Sequence, residues 1–234
     1  MSREGFSGVD GLFDAMLAEV EAGRVVAQRL TYSDDEVVFH EGDLGDALHM
    51  ILRGLFAIRT EMLSGGDLIV DVLGPGEVFG EFAVFSPSRR RTASVSALTA
   101  GEALRLHRDD LWACMIARPE MIQQLIATIT EKAEGTLRRL VELLDVSADI
   151  RVLRALLSLT RFEEDGAPVR VRQRDLASFA ATTRPTANHV LREEARRGTL
   201  EIARGSITVL ERDRIARRAK VDPVRPASPM ARRT

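Results

Sequence analysis

The sequence predicts an α+β chain in three parts: an antiparallel β sandwich or barrel, one long amphipathic helix, and a small helical domain closed by two strands. Three observations carry this. Between Val25 and Leu106, short runs rich in Val, Ile, Leu and Phe alternate with Gly and Asp, as in EVVFHEGD, ALHMILRG, LFAIRTEML and DLIVDVLGPGE. From about Pro119 to Leu144 the apolar residues change to steps of three and four. After residue 150, two short helical stretches flank Ala181-Thr182-Thr183, the arrangement of a helix-turn-helix.

Each element has a local reason. Residues 10–22, DGLFDAMLAEVEA, form an acidic amphipathic helix by pattern. Gly42, Gly54, Gly74 and Gly76 fall where strands should turn, and Ser64-Gly65-Gly66-Asp67 suits a hairpin loop. Asp109-Asp110 is expected to cap a short helix, DDLWACMIA. Pro119 suits the first turn of the long helix that follows. On that helix Ile122, Ile126, Ile129, Ala133, Thr136, Leu140 and Leu143 make a coiled-coil seam that wants a parallel partner helix. The seam thins at Ala133 and Thr136, and Gly135 costs the helix about 1 kcal/mol relative to Ala. A polar seam residue can fix register or leave room for a flat ligand group.

DIRVLRALLSLTRF follows as a further amphipathic helix, residues 163–166 as a turn, and Val169 and Val171 as a short strand. The two helices of the pair are expected at about 174–180 and 184–195, with Thr183 as N-cap and Pro185 in the first turn. RGTLEIARGSITVL then supplies two strands around Arg204-Gly205. Residues 217–234, rich in Pro, Ser, Ala and Arg, are expected to form a disordered basic tail.

Composition narrows the class. At 234 residues, 45% hydrophobic and 29% charged, the chain suits a soluble protein of one large or two small domains. Its apolar runs are too short to span a bilayer, and MSREGFSGVDGLF has no basic head followed by an apolar stretch, so a cytoplasmic protein is expected. Cys114 stands alone, which excludes an internal disulfide and a four-cysteine metal site. In its context, LWACMI, it should pack as a small hydrophobe. Residues 1–150 carry 14 Lys/Arg against 25 Asp/Glu, a net −11, whereas residues 151–234 carry 19 against 10, a net +9. The C-terminal part is thus suited to a polyanion and the N-terminal part is not.

The stretch from Phe79 to Ala97, FGEFAVFSPSRRRTASVSA, holds the densest chemistry. Gly80 permits a positive φ and a close backbone approach. The residues after it can open a short helix with free N–H groups facing an anion. Arg91 offers a planar, permanently charged fork for phosphate oxygens, and Glu81 an acceptor for a sugar hydroxyl. An isolated Glu and Arg could equally pair as a salt bridge on a β sandwich. With Gly, Glu, Arg and Thr in this order and spacing, the segment resembles the phosphate-binding cassette of cyclic-nucleotide-binding domains, in the form used by the cyclic-AMP receptor protein/FNR family of transcription regulators.

The resemblance covers about residues 25–215. It implies a double-stranded β-helix, or jelly roll, as a cyclic-nucleotide-binding domain (residues 1–118), a dimerisation helix (119–147) and a winged helix-turn-helix (148–216), ahead of the tail at 217–234. It assigns Gly80, Glu81, Phe82 and Ala83 to the ribose-phosphate, Arg91 to the cyclic phosphate, and Thr92 to phosphate or purine. Thr136 falls where nucleotide-binding members carry a threonine that hydrogen-bonds the adenine amino group. Leu137 replaces the serine that reaches there from the other subunit, so that contact is lost. The implied ligand is cAMP; Arg91-Thr92-Ala93 also resembles the form that favours cGMP, and a member that binds DNA without ligand is a third reading. Ile122, Ile126, Ile129, Ala133, Leu140 and Leu143 would form the homodimer interface.

In the C-terminal domain the same resemblance places Arg184, Thr186, Asn188 and His189 toward double-stranded DNA, with Arg184 able to bind guanine as a bidentate pair. Pro185 and His189 depart from the residues usual there, so the operator should differ from the family's standard half-site while remaining palindromic. Arg172, Arg174, Thr182, Thr183 and Arg204 are candidates for phosphate contacts. RNA polymerase is the implied protein partner. His40, His49, His107 and His189 form no metal-binding motif, so a metal-dependent β-barrel enzyme is the remote alternative and no enzyme activity is expected.

Overall fold

The computed structural model describes residues 11–62, 65–164 and 166–221. Helix α1 (Gly11–Glu21) precedes eight strands: β1 (Ala27–Tyr32), β2 (Val37–Phe39), β3 (Ala47–Arg53), β4 (Phe56–Glu61), β5 (Asp67–Leu73), β6 (Val78–Phe79), β7 (Ser94–Ala97) and β8 (Gly101–His107). A short helix, α2 (Glu81–Phe85), interrupts them between β6 and β7. The strands form two four-stranded sheets, ordered β1-β8-β3-β6 and β2-β7-β4-β5. Every pairing resolved between them is antiparallel. This is the double-stranded β-helix.

Helices α3 (Arg108–Ala117), α4 (Glu120–Asp145) and α5 (Ala148–Leu159) follow. The C-terminal part comprises β9 (Pro168–Arg170), α6 (Gln173–Phe179), α7 (Arg184–Arg196), β10 (Leu200–Ala203), β11 (Ser206–Val209) and α8 (Arg212–Ala219). Strands β10, β11 and β9 make a three-stranded antiparallel sheet.

By contact the described residues divide into two compact units, those up to 56 with 73–138, and 57–72 with those from 139 on. The first has a core of Leu12, Phe13 and Met16 from α1, Leu48 and Met50 from β3, Leu104 and Leu106 from β8, Leu111 and Met115 from α3, and Met121 and Leu125 from α4. Cys114 packs in it, with its Sγ 3.4 Å from the Met121 sulfur. Because successive strand residues face opposite ways, Leu48 and Met50 enter this core while Ala47, His49 and Ile51 point to the other face of their sheet.

In the second unit the buried residues of α5, α6 and α7 include Val152, Leu156, Leu176, Ala187 and Leu191. The β4–β5 segment contributes Arg59, which pairs with Asp175 of α6 at 2.9 Å. It also contributes Ile69, whose N–H donates to Ser178 Oγ at 3.0 Å. The turn between α6 and α7 puts Ala181 at φ 47°, a left-handed conformation costly for a side chain. Arg151 holds it, donating to the carbonyls of Ala180 and Ala181 at 3.0 Å each.

Several expectations need correction. Helix α3 starts one residue before the Asp pair, and its cap is His107, whose ring accepts from the Asp109 N–H. Helix α4 begins at Glu120, just after Pro119. The tail does not begin at residue 217. RDRIARRA forms α8 because Ile215, Ala216 and Ala219 recur on one face and are buried. Arg154 also hydrogen-bonds the Ala219 and Lys220 carbonyls. Residues 222–234 lie outside the described residues.

The seam on α4 also shifts. Ile129 packs against the core of the first unit, and Leu143 is half-buried. The apolar row left in the open runs through Ile122, Ile126, Leu137, Leu140 and Leu144, with Ala133 exposed between them. A 3.6-residue period rotates a straight helix away from a strict seven-residue repeat, which sends Ile129 inward and brings Leu137 outward.

Candidate functional site

Strand β6 delivers the chain to Gly80, which adopts φ 88° and opens α2. A Cβ on Gly80 would sit 2.5 Å from Arg91 Nη1 and 3.1 Å from the Ala47 carbonyl oxygen, so the position is closed to any side chain. Gly45 lies on the same spot: a Cβ there would overlap that of Ala83 and reach to 3.0 Å from Arg91 Nε. Two glycines and the small Ala83 thus clear the space that Arg91 fills.

The Arg91 backbone is fixed on both sides, its N–H donating to Asp43 O and its carbonyl accepting from the Gly42 N–H, each at 2.9 Å. The side chain is 5% exposed. Nη1 donates to Gly80 O at 3.1 Å and Nη2 to Ala47 O at 3.0 Å, with the guanidinium carbon 4.0 Å above the centre of the Phe39 ring. Nε has no partner among the described residues. Burial pushes its pKa below the ordinary arginine value; Asp46, Asp43 and Glu81 act only as charges nearby. Among the described residues no carboxylate pairs with this cation. A buried charge without a counterion is a costly arrangement, and an anionic ligand relieves it.

Glu81 is 1% exposed. Its Oε1 accepts from Lys132 Nζ at 2.7 Å, and Lys132 also donates to Val78 O at 2.6 Å. Its Oε2 has no partner among the described residues. Ala83 is buried, whereas Phe82 and Thr92 are exposed. Thr136 lies one turn beyond Lys132, with its hydroxyl bonded back to Lys132 O at 2.9 Å. The fold therefore brings Gly80, Glu81, Ala83 and Arg91 together and sets Thr136 one turn from Lys132. The sequence reading missed Gly45, Phe39, His49 and Lys132. Lys132 did carry a signal: it and Lys220 are the two lysines in a chain whose 33 basic residues are otherwise arginine.

A second candidate surface is α7. Thr183 caps it, its Oγ1 accepting from the Thr186 N–H at 3.3 Å and lying 2.9 Å from the Thr186 hydroxyl, so both threonines are partly spent on the cap. Ala187, Val190, Leu191 and Glu194 are buried. Glu194 accepts from Arg197 at 2.8 Å, Thr199 at 2.6 Å and Arg218 Nε at 2.8 Å. Burial raises its pKa, but the hydrogen bonds from Arg218, Thr199 and Arg197 outweigh this and hold it below the usual carboxylate range. This knot ties α7 to α8 and leaves the opposite face open. There Arg184, Pro185, Asn188, His189, Arg192 and Arg196 line one concave surface. Arg192 and Arg196 were not singled out from the sequence, although steps of four from Arg184 through Asn188 reach both. Arg204 is exposed in the β10–β11 turn, beside Gly205 at φ 80°. Arg174 is exposed and lies 3.7 Å from Asp175; Arg172 and Thr182 are half-buried.

A β-roll with a buried arginine that no carboxylate pairs among the described residues, followed by a winged helix-turn-helix with a basic open face, defines the class of small-molecule-responsive DNA-binding regulators. Residues 29–118 match the model of the cyclic nucleotide-binding domain, and residues 150–218 that of the Crp-like helix-turn-helix domain. The chain is 30% identical over 199 residues to the CRP-like cAMP-activated global transcriptional regulator of Mycobacterium tuberculosis, covering 82% of this chain and 88% of that one. It is 32% identical over 193 residues to the cyclic AMP receptor protein of Thermus thermophilus, with the same coverage. Among solved structures, FixK2 from Bradyrhizobium japonicum superposes with a TM-score of 0.74 at 18% identity over 82% of this chain and 97% of that one, a likeness of fold. The chain belongs to the cyclic-AMP receptor protein/FNR family, whose members are transcription regulators and not enzymes.

Proposed function

We propose that this chain is a homodimeric regulator that binds one cyclic nucleotide per subunit, cAMP in the first instance, and is switched by it on a palindromic DNA operator. The observation that carries the reading is Arg91, a guanidinium 5% exposed, bonded among the described residues only to carbonyls and facing two glycines. Such a group supplies a charge-assisted fork to a cyclic phosphate. Glu81 offers its unpartnered Oε2 to a ribose hydroxyl. The names of the two curated relatives, one a cAMP-activated regulator and the other a cyclic AMP receptor protein, support cAMP. The alternative is cGMP, for which Thr92, exposed beside Arg91, is available; the Thr136 hydroxyl donates to Lys132 O and keeps its lone pairs as acceptors for an adenine amino group.

Two subunits would join through the exposed row Ile122, Ile126, Leu137, Leu140 and Leu144. Each would place α7 in a major groove, with Arg184, Asn188, His189 and Arg192 toward base edges and Arg172, Arg174 and Arg204 toward phosphates. RNA polymerase is the proposed protein partner and the cytoplasm the proposed location; among the described residues no helix is long and apolar enough to cross a membrane. Ligand regulates only by binding the two arrangements of the dimer with different affinity.

Isothermal titration with cAMP and cGMP, for the wild type and Arg91→Leu, tests the reading. Saturable binding of one nucleotide at one per subunit, lost in the variant, is the expected result. Equal binding by Arg91→Leu overturns the site, and binding of neither nucleotide by the wild type leaves a regulator that acts without one.

A further inference from the structure

One polar group beside Arg91 is not used by the reading above. His49 sits on β3 on the face that carries Ala47 and Ile51, 3% exposed. Its ring stacks flat on Phe79, the residue before Gly80, with centroids 4.7 Å apart and planes at 1°. The Phe39 ring, over which the Arg91 guanidinium lies, is 5.9 Å from it. Nδ1 is fully buried and has no hydrogen-bond partner among the described residues. Buried polar atoms are paired in the great majority of cases, so an orphan asks for a missing partner.

Packing alone does not account for a histidine here. A phenylalanine would stack on Phe79 in the same way and leave no polar atom unpaired. An imidazole has one donor and one acceptor in either neutral tautomer, whatever surrounds it. Burial first, then Arg91 and Arg105, push its pKa down to about 3 against the pull of Asp46, so the ring is uncharged. Among the described residues, the unpaired buried side-chain atoms of this region are His49 Nδ1, Arg91 Nε and Glu81 Oε2. Two of the three belong to the groups assigned to the ribose and phosphate, and the third is joined to them through Phe39 and through Phe79-Gly80.

We propose that His49 is a ligand-reading residue of the cyclic-nucleotide pocket, hydrogen-bonding an oxygen of the ribose cyclic phosphate alongside Arg91 and Glu81. This rests on the nucleotide reading of the site. It adds that the contact is to the part shared by cAMP and cGMP, so His49 contributes to affinity without choosing the purine.

The test is isothermal titration of wild type, His49→Phe and His49→Gln with cAMP and with cGMP, with thermal unfolding of each unliganded protein. His49→Phe should weaken the nucleotide that binds by about tenfold, by the same factor for both if both bind, while the unliganded variant melts no lower than wild type. His49→Gln, which keeps a donor and an acceptor, should lose less. In wild type labelled with 15N-histidine, the ring-nitrogen signals absent from His49→Phe should move when nucleotide is added. Unchanged affinity in His49→Phe, or unmoved signals, overturns the proposal while the nucleotide reading stands. Failure of the wild type to bind either nucleotide overturns both.

Discussion

Lys132 of α4 donates to Glu81 of α2 across 2.7 Å, joining the central helix to the residue that follows Gly80. The lysine side chain is 20% exposed and the glutamate 2%, so the carboxylate depends on this cation more than the cation depends on it. If Glu81 binds the ligand as proposed, the link would make the position of α4 and the state of the nucleotide site mutually dependent. Any ligand group that competes for Glu81 alters the tether of the helix.

Lys132→Met should therefore destabilise the protein by about 1–3 kcal/mol, the cost of leaving a buried acceptor unsatisfied. Glu81→Gln should cost less, and the double variant should recover the part of the loss due to Glu81, the bond from Lys132 to the Val78 carbonyl remaining broken. Urea unfolding of the two single variants and the double measures this as a coupling of about 1–2 kcal/mol. Strictly additive losses would mean that the two side chains do not act as a pair.

The contrast between Lys132 and Gly80 shows what the sequence can carry. Gly80, Glu81 and Arg91 were legible because a tight turn, a close approach and a phosphate fork each demand one residue type at a fixed spacing. Lys132 makes its contact 51 residues from Glu81, and no local pattern records such a pairing. His49 read as an ordinary strand residue, since which face of β3 it occupies depends on a register set by β8 and β6. The helix-turn-helix was legible from Thr183, Pro185 and the apolar spacing, but not the left-handed Ala181, which Arg151 holds from another helix. The helix at 212–219 was hidden by its charge: two arginines in its last turn suggested solvent, although Ile215, Ala216 and Ala219 mark a buried face.

The exposed row on α4 makes a prediction about assembly. Leu140 and Leu144 are 53% and 82% exposed, and both would be covered in a parallel dimer. Burying a leucine contributes about 1.5 kcal/mol or more, and each substitution in a homodimer counts twice. Leu140→Lys with Leu144→Lys should raise the dimer dissociation constant by at least about 10⁴-fold, seen as a monomer in sedimentation velocity. A wild type already monomeric would overturn the dimer, and a variant still dimeric would place the interface elsewhere.

Arg184, at the open end of α7, is predicted to read a base. Arg184→Ala should cost about 1–3 kcal/mol in specific DNA binding and relax one operator position. Arg174→Ala and Arg204→Ala should weaken all sequences about equally and lower the salt dependence by about one unit each. Selection of preferred sites from random DNA with each variant separates these outcomes. An unchanged preference in Arg184→Ala would remove it from the base-reading set.

His49 also sets a pH dependence. Its folded pKa is about 3 against an ordinary value of 6.5, through burial first and then the charges of Arg91 and Arg105, with Asp46 opposing. Between those values the unfolded chain binds a proton that the folded protein does not, so stability falls as pH drops below 6.5. The slope approaches about 1.4 kcal/mol per pH unit, giving a loss of about 2 kcal/mol from pH 7 to pH 5. Glu19, Asp46, Glu102 and Glu194 contribute little in that window: their folded pKa values lie below the ordinary carboxylate values of 3.8–4.5, so the stability they add is lost only at lower pH. Glu163, whose pKa burial raises, works in the opposite direction and is common to wild type and the His49→Phe variant. Urea unfolding at pH 7 and pH 5 should show the loss in wild type and a flatter response in His49→Phe. Parallel pH profiles for the two proteins would mean that His49 is protonated in the folded state, and hence that solvent reaches the ring.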